Sequence, residues 1–269
     1  MMKKQVWCAV LLGACGMAHA GISDFYVAGA DGRIYSVDGA SLAATEIYQI
    51  QGGMAINDII FTGGNKMLAN VTDQLIEYNM TTGTESVVFD IADYEGEDDV
   101  FFTSGFSGRQ QGDIFMSVRR LGPELNDYIG AAFDPFTDSF TELADIQATV
   151  SGLFFDHQEI APNRMLGADY GNESITLFNS ASGHEIEVFD VEIGVVSFLE
   201  LGSDLFLLDD LGGLYTFDSS TGATSLYGNL SGFQGSLLGA ANTQVFRIPA
   251  PSSLAMLGFA GVICSHRRR

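Results

Sequence analysis

A phrase made of an apolar strand, Asp or Asn, three turn residues, Gly and a second strand recurs along this chain, and nothing else constrains its fold as tightly. The five copies are Ile34 to Asp38, Leu75 to Asn79 with Gly83, Ile129 to Asp134, Ile175 to Asn179 with Gly183, and Leu214 to Asp218 with Gly222. The first and third copies lack the Gly, and the third has Asp138 in its place. In each phrase the Asp or Asn side chain is suited to accept from backbone N–H groups two residues on, and Gly accepts the positive φ that closes a hairpin. From Asp38 the steps to Asn79, Asp134, Asn179 and Asp218 are 41, 55, 45 and 39 residues. That is close to the length of one four-stranded propeller blade, and the long second step predicts an insertion near Asp93 to Asp99.

Read in full, one unit gives strands at Ile56 to Thr62, Lys66 to Val71, Gln74 to Met80 and Glu85 to Ile91. Another gives Val195 to Leu201, Asp204 to Leu208, Gly213 to Asp218 and Ala223 to Tyr227. The first copy has too few strands before it, beginning at Asp24, while Ser236 to Ala240 and Gln244 to Ile248 are left over at the end. Those ends would complete one another as a closing blade, which removes exposed sheet edges. The expectation is an all-β chain forming a single β-propeller of five blades, with six blades or a pair of β-sandwiches as alternatives. Helices are expected only as a signal helix and a sorting helix at the two ends. The turn from Asp218 to Gly222 resembles those of quinoprotein-like propeller repeats; the docking tryptophan of those repeats is absent, so the resemblance is architectural and implies no cofactor.

The two ends carry address signals. Lys3 and Lys4 form a positive region, Val6 to Ala14 an apolar stretch, and Ala18-His19-Ala20 a small-x-small site for signal peptidase before Gly21. Leu12 to Cys15 offers an alternative lipobox reading that would place a lipid on Cys15. At the other end, Pro249-Ala250-Pro251-Ser252-Ser253 precedes eleven apolar or small residues and then Ser265-His266-Arg267-Arg268-Arg269. Eleven helical residues cover about 17 Å, short of a hydrocarbon core of about 30 Å, and the terminal arginines favour the cytoplasmic side. This tail resembles the PEP-CTERM sorting domain, with Ala250 where that family has Glu. The resemblance covers the last 21 residues and implies recognition by an exosortase-type transpeptidase, transient membrane association through the tail, and cleavage near Pro249 to Pro251. The domain boundaries read as 1–20 for a signal peptide, 21–248 for the repeat body and 249–269 for the sorting signal. Export across the inner membrane to the envelope, outer surface or extracellular matrix follows from these ends.

Of the twelve basic residues, five lie in those ends, leaving seven against 34 acidic residues, a net charge of −27 for the body. Such a body repels phosphate backbones and anionic lipid, which argues against nucleic-acid binding. Cys8, Cys15 and Cys264 all lie in the ends, so the body has no disulfide, cysteine-ligated zinc site or cysteine nucleophile.

Three clusters are candidates for chemistry. Asp93, Glu95, Glu97, Asp98 and Asp99 put five carboxylates within seven residues, a donor set suited to calcium but not spaced as an EF-hand; a solvated acidic loop accounts for it equally. Asp156, His157 and Glu159 place a rare histidine beside two carboxylates, which suits a general base, although a surface or loop histidine is the simpler reading. Arg119-Arg120 would take a carboxylate or sulfate, or pair with nearby acids. No Gly-x-Ser-x-Gly elbow or phosphate loop occurs. The leading expectation is a noncatalytic envelope or matrix protein whose propeller faces bind exopolysaccharide or envelope components. A secreted glycan hydrolase or lyase using the channel, and a calcium-binding surface module, are the alternatives.

Overall fold

The computed structural model describes residues 22–71, 74–90, 100–109, 112–121, 126–134, 139–146 and 155–243. Among them are twenty strands in five four-stranded antiparallel sheets, a five-bladed β-propeller. Blade one holds β1 (Phe25–Gly29), β2 (Arg33–Asp38) and β3 (Ala43–Gln49), completed by β20 (Leu237–Asn242). Blade two runs β4 (Asp58–Gly63), β5 (Lys66–Val71), β6 (Gln74–Asn79) and β7 (Thr84–Asp90); blade three runs β8 (Val100–Gly108), β9 (Ile114–Leu121), β10 (Asn126–Asp134) and β11 (Ser139–Asp145). Blade four has β12 (His157–Ala161), β13 (Arg164–Asp169), β14 (Ser174–Asn179) and β15 (Glu185–Asp190), and blade five β16 (Val195–Leu201), β17 (Asp204–Asp209), β18 (Gly213–Asp218) and β19 (Ala223–Asn229). The only helical turn described is a three-residue 3-10 segment, Tyr170–Asn172. The expected signal and sorting helices, and Gln244 to Ile248, lie outside the described residues.

The ring closes as the sequence pattern anticipates. β20 pairs antiparallel with β1, Phe25 opposite Asn242 and Val27 opposite Ala240, so one strand from the chain's end joins three from its start. That pairing ties the two ends of the chain into one blade and closes the ring. Middle strands are apolar on both faces because each blade is packed between two others; β5 is buried from Met67 to Val71. The outermost strands are polar and exposed, as in Glu185-Ile186-Glu187 of β15. Five apolar cores follow, one at each blade interface. Val27 and Val37 meet Leu199 and Leu208 between blades one and five; Ile34 meets Met67 between one and two; Leu75 meets Phe133 between two and three. Leu166 and Leu177 meet Phe198 and Leu207 between four and five, and Phe115 meets Phe178 between three and four.

The repeated turns have the anticipated chemistry. Asn79 Oδ1 accepts from Thr81 and Thr82 N–H, and Asn179 Oδ1 from Ala181 and Ser182 N–H. Four residues on from the Asp or Asn, Gly83, Gly183 and Gly222 sit at φ +67°, +67° and +74°, each donating its N–H to the carbonyl at the start of the turn. In the first copy that place belongs to Leu42, at φ +56° with the same hydrogen bond, Leu42 N–H to Asp38 O at 2.8 Å. Its side chain is buried in the core between blades one and five, and that burial offsets a backbone cost of about 1–2 kcal/mol. The long step between the second and third copies is partly accounted for by strand length: β8 and β10 have 9 residues each and β9 has 8. Residues 91–99, where the insertion is expected, lie outside the described residues.

Candidate functional site: the central channel

The innermost strands are β20, β4, β8, β12 and β16, each at one end of its sheet. Each therefore has an unpaired edge, and its backbone donors need other acceptors. Two aspartates supply them. Asp58, the first residue of β4, accepts from its neighbour Ile59 N–H at 2.8 Å and, across the blade boundary, from Phe106 N–H of β8 at 2.9 Å. Asp156, just before β12, accepts from His157 N–H at 2.6 Å, from Phe198 N–H of β16 at 2.6 Å and from Ser197 Oγ–H at 2.7 Å. Both carboxyl groups are buried, and they hydrogen-bond to each other.

Glycines make room at this level. A Cβ on Gly105 would stand 2.4 Å from Asp156 Cα, and one on Gly239 would stand 2.5 Å from Asp58 Cα. Gly239, Asp58, Gly105, Asp156 and Ser197 thus form one ring of positions, one from each innermost strand or the residue before it. From this ring a cavity of about 200 Å³ extends along the strands, lined by the segments Ile59 to Phe61, Phe106 to Gly108, Asp156 to Gln158, Phe198 to Glu200 and Ala240 to Asn242.

The electrostatics follow from burial. Desolvation pushes Asp58 well above the ordinary carboxylate range, and the neighbouring charge and hydrogen bond of Asp156 push in the same direction. Desolvation also raises Asp156, to about 6, against the opposing effect of the hydrogen bonds from Asp58, Ser197, Phe198 and His157. His157 is pushed down to about 3 by burial, partly offset by a hydrogen bond to the Gly105 backbone. Its imidazole is neutral at ordinary pH.

Asp156 lies in the channel wall. His157 is buried, not on a surface or loop: it begins β12, and its ring meets Phe115 edge-on at 5.1 Å and Phe178 at 6.2 Å between blades three and four. Glu159 donates its backbone N–H to Ser107 Oγ at 3.3 Å. Asp93, Glu95, Glu97, Asp98 and Asp99, the sorting-tail residues Pro249, Pro251, Ser252, Arg267, Arg268 and Arg269, and the cleavage residues Ala18 and Ala20 lie outside the described residues. Among the described residues no group of three or more His, Cys, Asp or Glu is placed to hold a metal ion. Asp58 and Ser197 were not singled out by sequence. The available signal was position, since Asp58 and Asp156 each stand at the start of a blade's first strand.

No protein-family model matches this chain, and no curated protein matches it in sequence. Solved structures share its fold. A protein of unknown function from Bacteroides caccae has a TM-score of 0.53 at 10% identity, with 77% of this chain and 72% of that one covered. A chain in the crystal structure of a Nidogen/Laminin complex has a TM-score of 0.52 at 13% identity, with 84% and 86% covered. At such identities the likeness is one of propeller architecture, and chemistry must be read from this chain's own residues.

Proposed function

We propose that this chain is an exported binding protein of the cell envelope or extracellular matrix, sorted by its C-terminal tail and using the propeller faces noncatalytically. The observation that carries the reading is the use made of the channel's buried polar side chains. Asp58 and Asp156 are committed to backbone donors of neighbouring blades, and His157 is turned into a blade interface. These groups hold the ring together. The cavity beside them, about 200 Å³, is smaller than the roughly 300 Å³ at which small-molecule sites begin, which favours recognition on the outer faces over turnover in the channel. The presence of a similarly folded chain in a structure named as a Nidogen/Laminin complex is consistent with protein binding. With a body charge of −27, neutral or cationic surfaces are the suitable partners.

The experiment compares cells producing the full chain with cells producing one that lacks residues 249–269. Each culture is fractionated, the chain is tested for binding to isolated exopolysaccharide and cell surface, and co-purifying components are identified by mass spectrometry. Surface or matrix retention that depends on the tail, with saturable binding, is expected. A protein that is exported, remains free and binds neither material would refute the reading. The glycan-enzyme alternative predicts polysaccharide turnover that disappears in Asp156→Asn.

A further inference from the structure

We propose that Asp58 and Asp156 share one proton and form a pH-responsive clasp across the channel, joining blades two to five at a single level and loosening them when the proton leaves. Two carboxylates are both acceptors, so a hydrogen bond between them requires an O–H on one. The same two groups reach sideways, Asp58 to Phe106 N–H on blade three and Asp156 to Ser197 Oγ–H and Phe198 N–H on blade five. The shared proton therefore links two inter-blade bridges into one.

No other described group takes over the proton's role. β12 brings His157, held neutral by burial, and Glu159; β16 brings Glu200; neither glutamate supplies positive charge. On β13, Asp169 accepts from Asn172, and Arg164 is at the opposite end of that strand from Asp156. On β5, Lys66 is at the opposite end from Asp58's partner Asn70 and pairs with Glu77 at 2.8 Å. β4 brings no titratable group besides Asp58, and β8 and β20 bring none. Gly105 and Gly239 close the space around the pair, and among the described residues no cation is placed against it, so removing the proton leaves two uncompensated negative charges side by side.

The sign follows from linkage. Both carboxyl groups titrate above their unfolded value of about 3.9, so the folded state holds extra protons. Their contribution is complete below that value and declines as pH rises, through about 6 for Asp156 and through a point well above the ordinary carboxylate range for Asp58.

The test is urea unfolding of the full chain between about pH 5 and about pH 9, with Asp58→Asn measured over the same range so that the contribution of His157 is common to both. Relative to the variant, the wild-type folding constant is expected to fall as pH rises, by up to about tenfold per pH unit, the limit for one proton. In Asp58→Asn an amide N–H replaces the O–H, and the variant's pH dependence should lack that fall although its starting stability is lower. Infrared spectroscopy of the folded wild type at neutral pH should show a protonated carboxyl C=O band that is lost on unfolding and in Asp58→Asn. Parallel pH profiles of wild type and variant, or no such band in the wild type, would overturn the proposal. Should Asp58→Asn fail to fold, Asp156→Asn carries the slope comparison and the wild-type band stands by itself.

Discussion

Replacing Gly105 by alanine tests whether the channel ring is as close-packed as its distances imply. Gly105 has φ +95°, and a Cβ there would stand 2.4 Å from Asp156 Cα, 2.6 Å from Phe155 O and 2.8 Å from Asp156 N. All three are backbone atoms, so no side-chain rotation relieves the contact. Gly83 is the control: it also has positive φ, +67°, but a Cβ there meets nothing within 4 Å. Gly83→Ala therefore carries only the conformational penalty, about 1 kcal/mol after the unfolded chain's reduced freedom is counted. Gly105→Ala adds overpacking of about 1–3 kcal/mol, which brings its total to about 2–4 kcal/mol of a typical stability of about 5–15 kcal/mol. With a urea m-value near about 3 kcal/mol per molar, the midpoint should fall by about 1 M for Gly105→Ala and about 0.3 M for Gly83→Ala. Circular dichroism or tyrosine emission is the suitable probe, because Trp7 is the chain's only tryptophan. Equal shifts in the two variants would refute the packing argument.

Other consequences are open to measurement. Phe115→Ala, at the small core between blades three and four, should cost about 3–5 kcal/mol in urea unfolding, whereas Leu226→Ser on exposed β19 should stay within about 0.5 kcal/mol. Because burial pushes His157 down to about 3, the unfolded chain binds its proton first; the His157 component of stability should fall by up to about 1.4 kcal/mol per pH unit below about pH 6.5, against the opposite slope of Asp58 and Asp156, and His157→Gln should remove it. NMR should show the His157 imidazole remaining neutral well below pH 6.5. The hydrogen bonds of Ser41 to Asp38 and of Ser220 to Asp218 hold these exposed carboxylates below their ordinary value. Their contribution is present above about pH 4 and lost in acid, so paired Asn substitutions should flatten the acid limb of the stability profile.

The propeller was legible because its turns are local chemistry. An Asp or Asn that accepts N–H groups two and three residues on, followed by a residue at positive φ, is written within five consecutive positions. Leu42 shows where that code ends: nothing local marks a leucine for positive φ, and only its burial between blades one and five accounts for it. The channel ring was less legible because its members come from separate blades. Asp156 and His157 stood out as chemically unusual neighbours, yet successive side chains can leave a strand in different directions, the Asp156 carboxyl toward Ser197 and Phe198 and the His157 ring toward Phe115 and Phe178. Asp58 looked like an ordinary polar residue before an Ile-Ile pair. Its role emerges only when residue 58 meets residues 106 and 156.

The number of blades itself bears on that ring. Around the channel the positions run Gly239, Asp58, Gly105, Asp156, Ser197, so each aspartate has glycine on its preceding side. A strict alternation of large acceptor and small neighbour closes only for an even number of blades. With five, one position must break it, and Ser197 does so beside Asp156. Its hydroxyl gives Asp156 an acceptor role that Asp58 lacks: two donors from the next blade instead of one. That additional donor favours the charged form of Asp156 and leaves the shared proton to Asp58, so the odd blade count gives the carboxyl pair its asymmetry.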